Sequence, residues 1–293
     1  MTQALKSLPQ VIQNKPLSSL TTLGIGGPAK FYIEVRQVEE MQAALAYCKI
    51  NHLSFLVIGK GSNCLFDDRG FNGCIIHNKI DFLDSSNGMF HVGSGYSFSR
   101  LGTHTAKLGY GGLEFAAGIP ASVGGAVFMN AGANGAETKD YLHSVDFIDE
   151  DGILTSYLKD EIIFNYRYSF FQDNKGAIVS ATFLLNETEE ARAKQIAIIN
   201  TRQKTQPYSD KSAGCVFRNP DHQPAGKLID ECGLKGFSVG NASVSSLHAN
   251  FLINQNGATA AEFKELIAEV KKTVQEKTGT TLECEVRMVP YEL

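Results

Sequence analysis

GYGGLEFAAGIPASVGGAVFMNAGANG, residues 109–135, carries eight of the chain's 28 glycines and one charged side chain, Glu114. Glycine loses more freedom on ordering than any other residue, so packing alone does not explain such density. A backbone opened by glycine, without a cation, suits a bulky anion held by main-chain N–H groups, as nests and helix N-termini hold phosphates. The same density fits a set of tight turns in a β-rich core. The segment by itself leaves both readings open.

Outward from that stretch, the bulk properties set bounds. At 293 residues the chain is long enough for a single core to stop growing, so two or three subdomains are expected. Hydrophobic residues make up 43% and charged residues 20%, as in ordinary globular proteins. A net charge of −4 argues against nucleic acid as the main partner. Apolar stretches such as 55–58 and 249–253 fall far short of a membrane span. The opening MTQALKSLPQVIQNKP lacks the apolar core of a signal peptide, so a cytoplasmic location is expected. Six cysteines without a C-x-x-C pair read as reduced thiols, and seven histidines standing singly suggest no metal site.

Short β-like runs recur at 31–35, 55–58, 74–77, 89–92, 145–148, 177–185 and 251–253, some alternating and some continuously apolar, which predicts sheets buried to different degrees. Val38, Met41, Leu45 and Cys48 share one helical face. Thr259 and Glu262 form a capping box opening a helix whose stripe is Phe263, Leu266, Ile267, Val270 and Val274, ending near Gly279. A polar helix over 187–205, closed by Gln206-Pro207, is expected to link two domains. The class is α+β.

Several motifs carry chemistry. VIGKGSN, residues 57–63, is a strand entering a glycine turn whose amides and Ser62 hydroxyl suit a pyrophosphate; a plain turn explains it equally, and it is not a P-loop. GIGGPA, residues 24–29, matches a dinucleotide fingerprint in form only. A strand rather than a helix follows it, so it is assigned to a structural turn. In YRYSFF, residues 166–171, an arginine stands among aromatics, either stacked at the surface or paired with an anion such as a carboxylate. In SAGCVFRNP, residues 212–220, Cys215 is either an inert core thiol or a site residue. In a site, its ordinary pKa of about 8.5 would make it a proton donor rather than a nucleophile. Residues 282–288 alternate, with Leu282, Cys284, Val286 and Met288 on one face and Glu283, Glu285 and Arg287 on the other.

Taken in order, TTLGIGGPA, GKGSNCLFDDRGFNG, AAGIPASVGGAVFMNAGANG, YRYSFF, SAGCVFRNP, HANFLIN and ECEVR resemble the UDP-N-acetylenolpyruvoylglucosamine reductase (MurB) family, from about residue 20 to residue 289. The resemblance implies an FAD-binding fold of the vanillyl-alcohol-oxidase type, built of two α+β subdomains, with an α+β substrate-binding domain. The implied boundaries are 1–76, joined by a C-terminal strand at 286–293, then 77–190 and 205–285. It further implies non-covalent FAD, NADPH as co-substrate, and reduction of an enolpyruvyl UDP-sugar to UDP-N-acetylmuramate for peptidoglycan. No nucleic-acid, membrane or obligate protein partner is expected.

By the same resemblance, Arg167 stabilises the enolate, Glu285 assists it and Cys215, where many relatives carry serine, donates the proton. Lys60, Gly61, Ser62 and Asn63 match one FAD pyrophosphate loop, and Gly118, Ile119, Ser122, Gly124 and Gly125 match the other. Asn130 and Gly132 border the flavin, while Asn219, Tyr166 and Arg287 are implied substrate contacts. Only 45 positions separate Arg167 from Ser212, which leaves no room for the inserted loop that lays a tyrosine over the substrate diphosphate in the longer form of the family. Arg202, Tyr208 and Lys227 are candidate substitutes. Two other readings stand beside it: an FAD-dependent oxidase of the same fold acting on another sugar or alcohol, which keeps the flavin loops, and a non-catalytic nucleotide-binding module.

Overall fold

The computed structural model describes residues 6–220 and 223–293; residues 1–5, which open the expected 1–76 domain, lie outside that description. The helices in chain order are α1 (Val38–Ile50), α2 (Phe98–Lys107), α3 (Val123–Phe128), α4 (Ala191–Thr205), α5 (Ala225–Glu231) and α6 (Ala260–Thr278). Two compact units interleave along the chain. The first holds Phe31–Lys60, Gly73–Thr201 and the stretch ending at Gln13; the second holds Asn14–Lys30, Gly61–Asn72 and Arg202–Leu293.

The first unit is organised by a five-stranded antiparallel sheet in the order Leu154–Leu158, Leu142–Asp149, Gly176–Leu184, Met89–Gly93, Leu83–Ser86. Its central strand explains why the sequence reads as continuously apolar there. Ala177 and Val179 join a core with Met41, Ala44, Leu45 and Cys48 of α1. Ile178, Ala181 and Phe183 join another with Phe98 and Leu101 of α2 and Val123 and Val127 of α3. Side chains alternate across a strand, so a sheet covered on both faces needs apolar residues at both phases. A register shift between Asp146 and Phe147 inserts Val179 and changes the phase. A parallel pair, Phe55–Ile58 with residues 74–77, lies beside α1 and ends at the Gly59–Lys60 turn.

The second unit pairs Lys211–Cys215, Phe251–Asn254, Ala242–Val244 and Ser238–Val239 in one antiparallel sheet. The expected stripe of α6 packs on it: Phe263, Leu266, Ile267, Val270 and Val274 are buried with Val216, Phe217 and Leu252. Thr259 caps α6 through the Glu262 N–H at 3.1 Å, Glu262 returns a bond to the Thr259 N–H, and Gly279 ends the helix at φ 73°. The 24–29 glycine stretch is structural. Leu17 and Ser18 N–H groups donate to Gly27 and Gly26 carbonyls, and a Cβ at Gly27 would lie 2.2 Å from the Asp68 carbonyl oxygen.

Two expectations need correction. The polar helix begins at Ala191 rather than 187, because Asn186–Glu187 pairs with Tyr110–Gly111 and the Thr188 N–H donates to Gly109. The alternation over 282–288 does not persist: Val286 is buried, but Met288 is exposed and Val289 takes the inward position. The alternation holds as far as Val286 and breaks where the chain goes over to parallel pairing of Arg287–Val289 with Cys64–Phe66.

Candidate active site

In the first unit, the Gly59–Lys60 turn lies against the start of two helices. The Lys60 ammonium donates to Ser97 Oγ at 2.7 Å, and Ser97 is the N-cap of α2. Ser122 is the N-cap of α3, accepting the Gly125 N–H at 3.2 Å, and it bridges Ser97 through the antiparallel pair of bonds Phe98 N–H to Ala121 and Val123 N–H to Tyr96. A Cβ on Gly59 would lie 2.1 Å from Ser122 Oγ, so only glycine lets the turn approach this cap. Burial pushes the Lys60 ammonium pKa down, and nearby Lys79 adds to the shift, against Asp81. A half-buried cation beside two helix N-termini marks a place that favours an anion.

The glycine segment contributes shape more than donors. Gly118 donates to Ser99 Oγ at 2.7 Å, Ile119 to Ala116, Ala121 to Ile119, and Gly124 to Ser94 at 2.8 Å. A Cβ at Gly124 would lie 2.9 Å from that of Ser94. Gly118, at φ 84°, supplies the left-handed corner that turns the chain from α2 toward α3. The residues therefore fit a pyrophosphate through the Lys60 charge and the helix-terminus field, on a scaffold the glycines keep narrow.

Asn130 and Arg167 belong to a second constellation in this unit. Asn130 is fully buried at φ 42°. Its amide nitrogen donates to Glu137 and to the Asn165 carbonyl, and its oxygen accepts the Lys139 N–H at 3.1 Å. It thus braces the hairpin whose strands are Phe164–Asn165 and Tyr168–Ser169, with Tyr166 and Arg167 at the tip. Arg167 holds φ 55°, a left-handed conformation costing a non-glycine residue about 1–2 kcal/mol. Its guanidinium donates to the Gly132 carbonyl at 3.0 Å and stacks 4.7 Å from the centre of the exposed Tyr166 ring. Such strain collects at functional sites, where the surrounding structure over-determines the conformation.

In the second unit, Gly61 requires both a positive φ of 60° and a missing side chain, since a Cβ would lie 2.2 Å from the Leu20 carbonyl oxygen. The N–H groups of Gly61 and Ser62 enter no main-chain bond of the described turns. Asn63 braces the C-terminal segment: its amide donates to the Glu285 carbonyl at 3.2 Å and its carbonyl accepts the Arg287 N–H at 3.0 Å. Arg287 pairs with Cys64 across a parallel ladder; burial pushes that thiol pKa up, and the guanidinium opposes the shift.

Cys215 owes its orientation to a β-bulge. Ser212 faces Ile253 and Cys215 faces Phe251, so three steps on one strand match two on the other, with Gly214 at φ 75°. Simple alternation would send Cys215 inward with buried Ala213. The bulge gives the inward position to Val216 and leaves Cys215 half-buried. Phe217 bridges Cys284, Glu285 donates to Val216 and Arg218 donates to the Glu283 carbonyl at 2.9 Å, so the backbones carrying Cys215 and Glu285 run side by side, antiparallel. Asn219 accepts the Ala225 N–H at 3.0 Å at the start of α5. Of the candidate diphosphate groups, Lys227 pairs with Glu231 at 3.7 Å, and Tyr208 is half exposed.

Thus the second unit brings Cys215, Glu285, Asn63 and Arg287 onto adjoining segments, and the first brings Arg167 together with Gly132 and Asn130. Sequence reading missed Ser97, whose signal was its place before an apolar helical face, and Asn250, which clasps the Phe217 main chain. It also missed His77, buried with its Nδ1 2.8 Å from the Tyr32 hydroxyl, at the end of the strand preceding Lys79.

Residues 29–157 match the FAD binding domain model, and residues 206–289 match the C-terminal domain of UDP-N-acetylenolpyruvoylglucosamine reductase. The chain is 55% identical to the UDP-N-acetylenolpyruvoylglucosamine reductase of Protochlamydia amoebophila, covering 98% of each sequence. It is 47% identical to that of Chlamydia felis, covering 94% of each. The crystal structure of UDP-N-acetylenolpyruvylglucosamine reductase (MurB) from Thermus caldophilus aligns with a TM-score of 0.80 at 35% identity, over 96% of this chain and 98% of that one. With two domain models matched in order and this identity sustained over almost its whole length, the chain belongs to the UDP-N-acetylenolpyruvoylglucosamine reductase (MurB) family.

Proposed function

We propose that this protein is an NADPH- and FAD-dependent oxidoreductase that reduces UDP-N-acetylglucosamine enolpyruvate to UDP-N-acetylmuramate during peptidoglycan precursor synthesis. The observation that carries the reading, beyond family membership, is the Gly214 bulge, which turns Cys215 out of the core on a strand paired with the backbone of Glu285. When bound, FAD would pass on from NADPH the hydride that the vinyl carbon of the enolpyruvyl ether requires. Negative charge then develops on the adjacent carbon and its carboxylate. Arg167 offers a fixed guanidinium to that charge, which is stabilisation by preorganised electrostatics. Glu285 assists if its carboxyl holds or shares a proton, since a bare carboxylate would repel the enolate. Cys215 delivers the proton that completes the reduction, and a thiol, several pK units more acidic than the serine hydroxyl of many relatives, suits that task.

Lys60, Gly61, Ser62, Asn63, Gly118, Ile119, Ser122, Gly124 and Gly125 are proposed to hold the FAD pyrophosphate, with Asn130 and Gly132 beside the flavin. Tyr166, Asn219 and Arg287 are proposed substrate contacts, and Arg202, Tyr208 and Lys227 candidates for its diphosphate. The functional division is proposed as 1–76 with 286–293, 77–190 and 205–285. A cytoplasmic location fits a chain whose described residues contain no helix long and apolar enough to cross a membrane. Purified yellow protein should consume NADPH steadily once the enolpyruvyl UDP-sugar is added. NADPH oxidation indifferent to that substrate would overturn the reading, and stoichiometric peroxide formation with a simple sugar would replace it with an oxidase.

A further inference from the structure

We infer that Asn250 is a positioning residue for protonation: its side chain stands in for a missing length of β-strand and holds the Cys215-bearing backbone in register with that of Glu285. The inference rests on the reading of Cys215 as the proton donor. The chain from Val216 to Arg218 is held on one edge by residues 283–286, through Glu285 N–H to Val216 and Arg218 N–H to Glu283. In that arrangement Phe217, which bridges Cys284 between those two bonds, points its own N–H and C=O to the opposite edge. There the neighbouring strand, Phe251–Asn254, starts opposite Cys215, so no strand residue reaches Phe217.

Asn250 fills the gap. Its main-chain carbonyl accepts the Val216 N–H at 2.9 Å, its Oδ1 accepts the Phe217 N–H at 2.9 Å, and its Nδ2 donates to the Phe217 carbonyl at 2.8 Å. A carboxamide offers one acceptor and paired donors, so it satisfies both Phe217 groups as a strand residue would. The residue is 2% exposed, so bulk solvent does not reach the bonded pair. Asn250 is itself fixed by a tight turn. The Leu247 and His248 N–H groups donate to Ser245 Oγ, the Asn250 N–H donates to His248 Nδ1 at 3.3 Å, and Phe251 donates to the His248 carbonyl. Without the side-chain clasp, both Phe217 main-chain groups lose their partner, and only the Cys215–Phe251 pairing and the Val216 bond to the Asn250 carbonyl hold that edge, so the Cys215 backbone can drift relative to Glu285.

The test separates the two half-reactions by stopped-flow absorbance of the flavin in holoenzyme carrying Asn250→Ala or Asn250→Ser, with Cys215→Ala alongside. Flavin reduction by NADPH should stay within about twofold of the parent, while reoxidation by the enolpyruvyl UDP-sugar should slow about 10- to 100-fold, the scale on which small misplacements of a reacting group act. Asn250→Ser, which keeps one hydroxyl for the Phe217 main chain, should fall between Asn250→Ala and the parent. Equal slowing of both half-reactions, or failure of both variants to fold, would assign Asn250 to stability alone and overturn the inference. If Cys215→Ala reoxidises normally, the proton-donor reading itself fails. If Cys215→Ala stalls while both Asn250 variants reoxidise normally, only the positioning role fails.

Discussion

Replacing Gly59 by alanine tests the contact between the Lys60 turn and the cap of α3. Gly59 is not among the residues at positive φ, so alanine meets no backbone penalty there, and any cost is steric. The added Cβ would lie 2.1 Å from Ser122 Oγ and 2.9 Å from Ser122 Cβ, well inside van der Waals contact. Ser122 is 3% exposed and its Oγ is engaged by the Gly125 N–H, so it has no free volume to enter. Moving it overpacks the site, at about 1–3 kcal/mol, and removes a helix cap worth about 1 kcal/mol. Gly59→Ala should therefore destabilise the protein by about 2–4 kcal/mol in urea denaturation followed by circular dichroism. Ser122→Gly alone should cost only a few tenths of a kcal/mol, because glycine is an acceptable N-cap. With the serine gone the obstruction vanishes, and Gly59→Ala should then be neutral or stabilising by up to about 1 kcal/mol. The two positions should thus couple strongly, and fluorescence titration should show FAD affinity falling in Gly59→Ala and recovering in part in the double variant. An equal cost of Gly59→Ala in both backgrounds would refute the reasoning.

Gly214 has open space around its missing Cβ but φ 75°, so Gly214→Ala should lose about 1–2 kcal/mol through backbone strain, and Gly214→Asn less. If the two variants prove equally stable in thermal denaturation, the left-handed bulge does not hold. His77 is pushed down to about 4, first by burial and then by Lys79, whereas an unfolded chain takes up its proton near 6.5. The unfolded state therefore binds more protons between those values. Stability should rise with pH across that window and be lost, by up to about 3 kcal/mol, as pH falls from 7 to 4. His77→Gln should flatten that part of the urea-midpoint profile, and an unchanged slope would exclude His77 as its source. Arg167→Gly relieves the strain at φ 55° while losing the bond to Gly132 and the stack on Tyr166. The melting temperature should move little while turnover collapses by about 100-fold or more, and parallel loss of both would make the arginine structural.

Most of the regular elements were legible because their signals are local. The Thr259–Glu262 box, the α6 stripe, the α1 face and the strand at 55–58 rest on spacing within one element, and the structure repeats them. The helix expected from residue 187 failed at its start because two residues preferred a partner strand more than seventy positions away, and local polarity carries no trace of that pairing. The 282–288 alternation failed for the same kind of reason, its last residues pairing with Cys64–Phe66 far back in the chain.

The sequence by itself determined the α+β class and the family, and it named the residues proposed for the chemistry, because those reside in ordered motifs and short-range periodicity. Only the tertiary structure decided how they are presented. The glycine run turned out to direct its N–H groups mostly into its own framework, with the Lys60 ammonium set against the Ser97 cap of α2. Arg167 is held in a strained left-handed turn, Cys215 is turned outward by a one-residue bulge, and Asn250 completes a strand that the backbone does not. Each depends on which distant backbone group is paired or left unpaired. Unmet hydrogen bonds must be satisfied wherever the fold buries them, and that condition is written in three dimensions rather than along the chain.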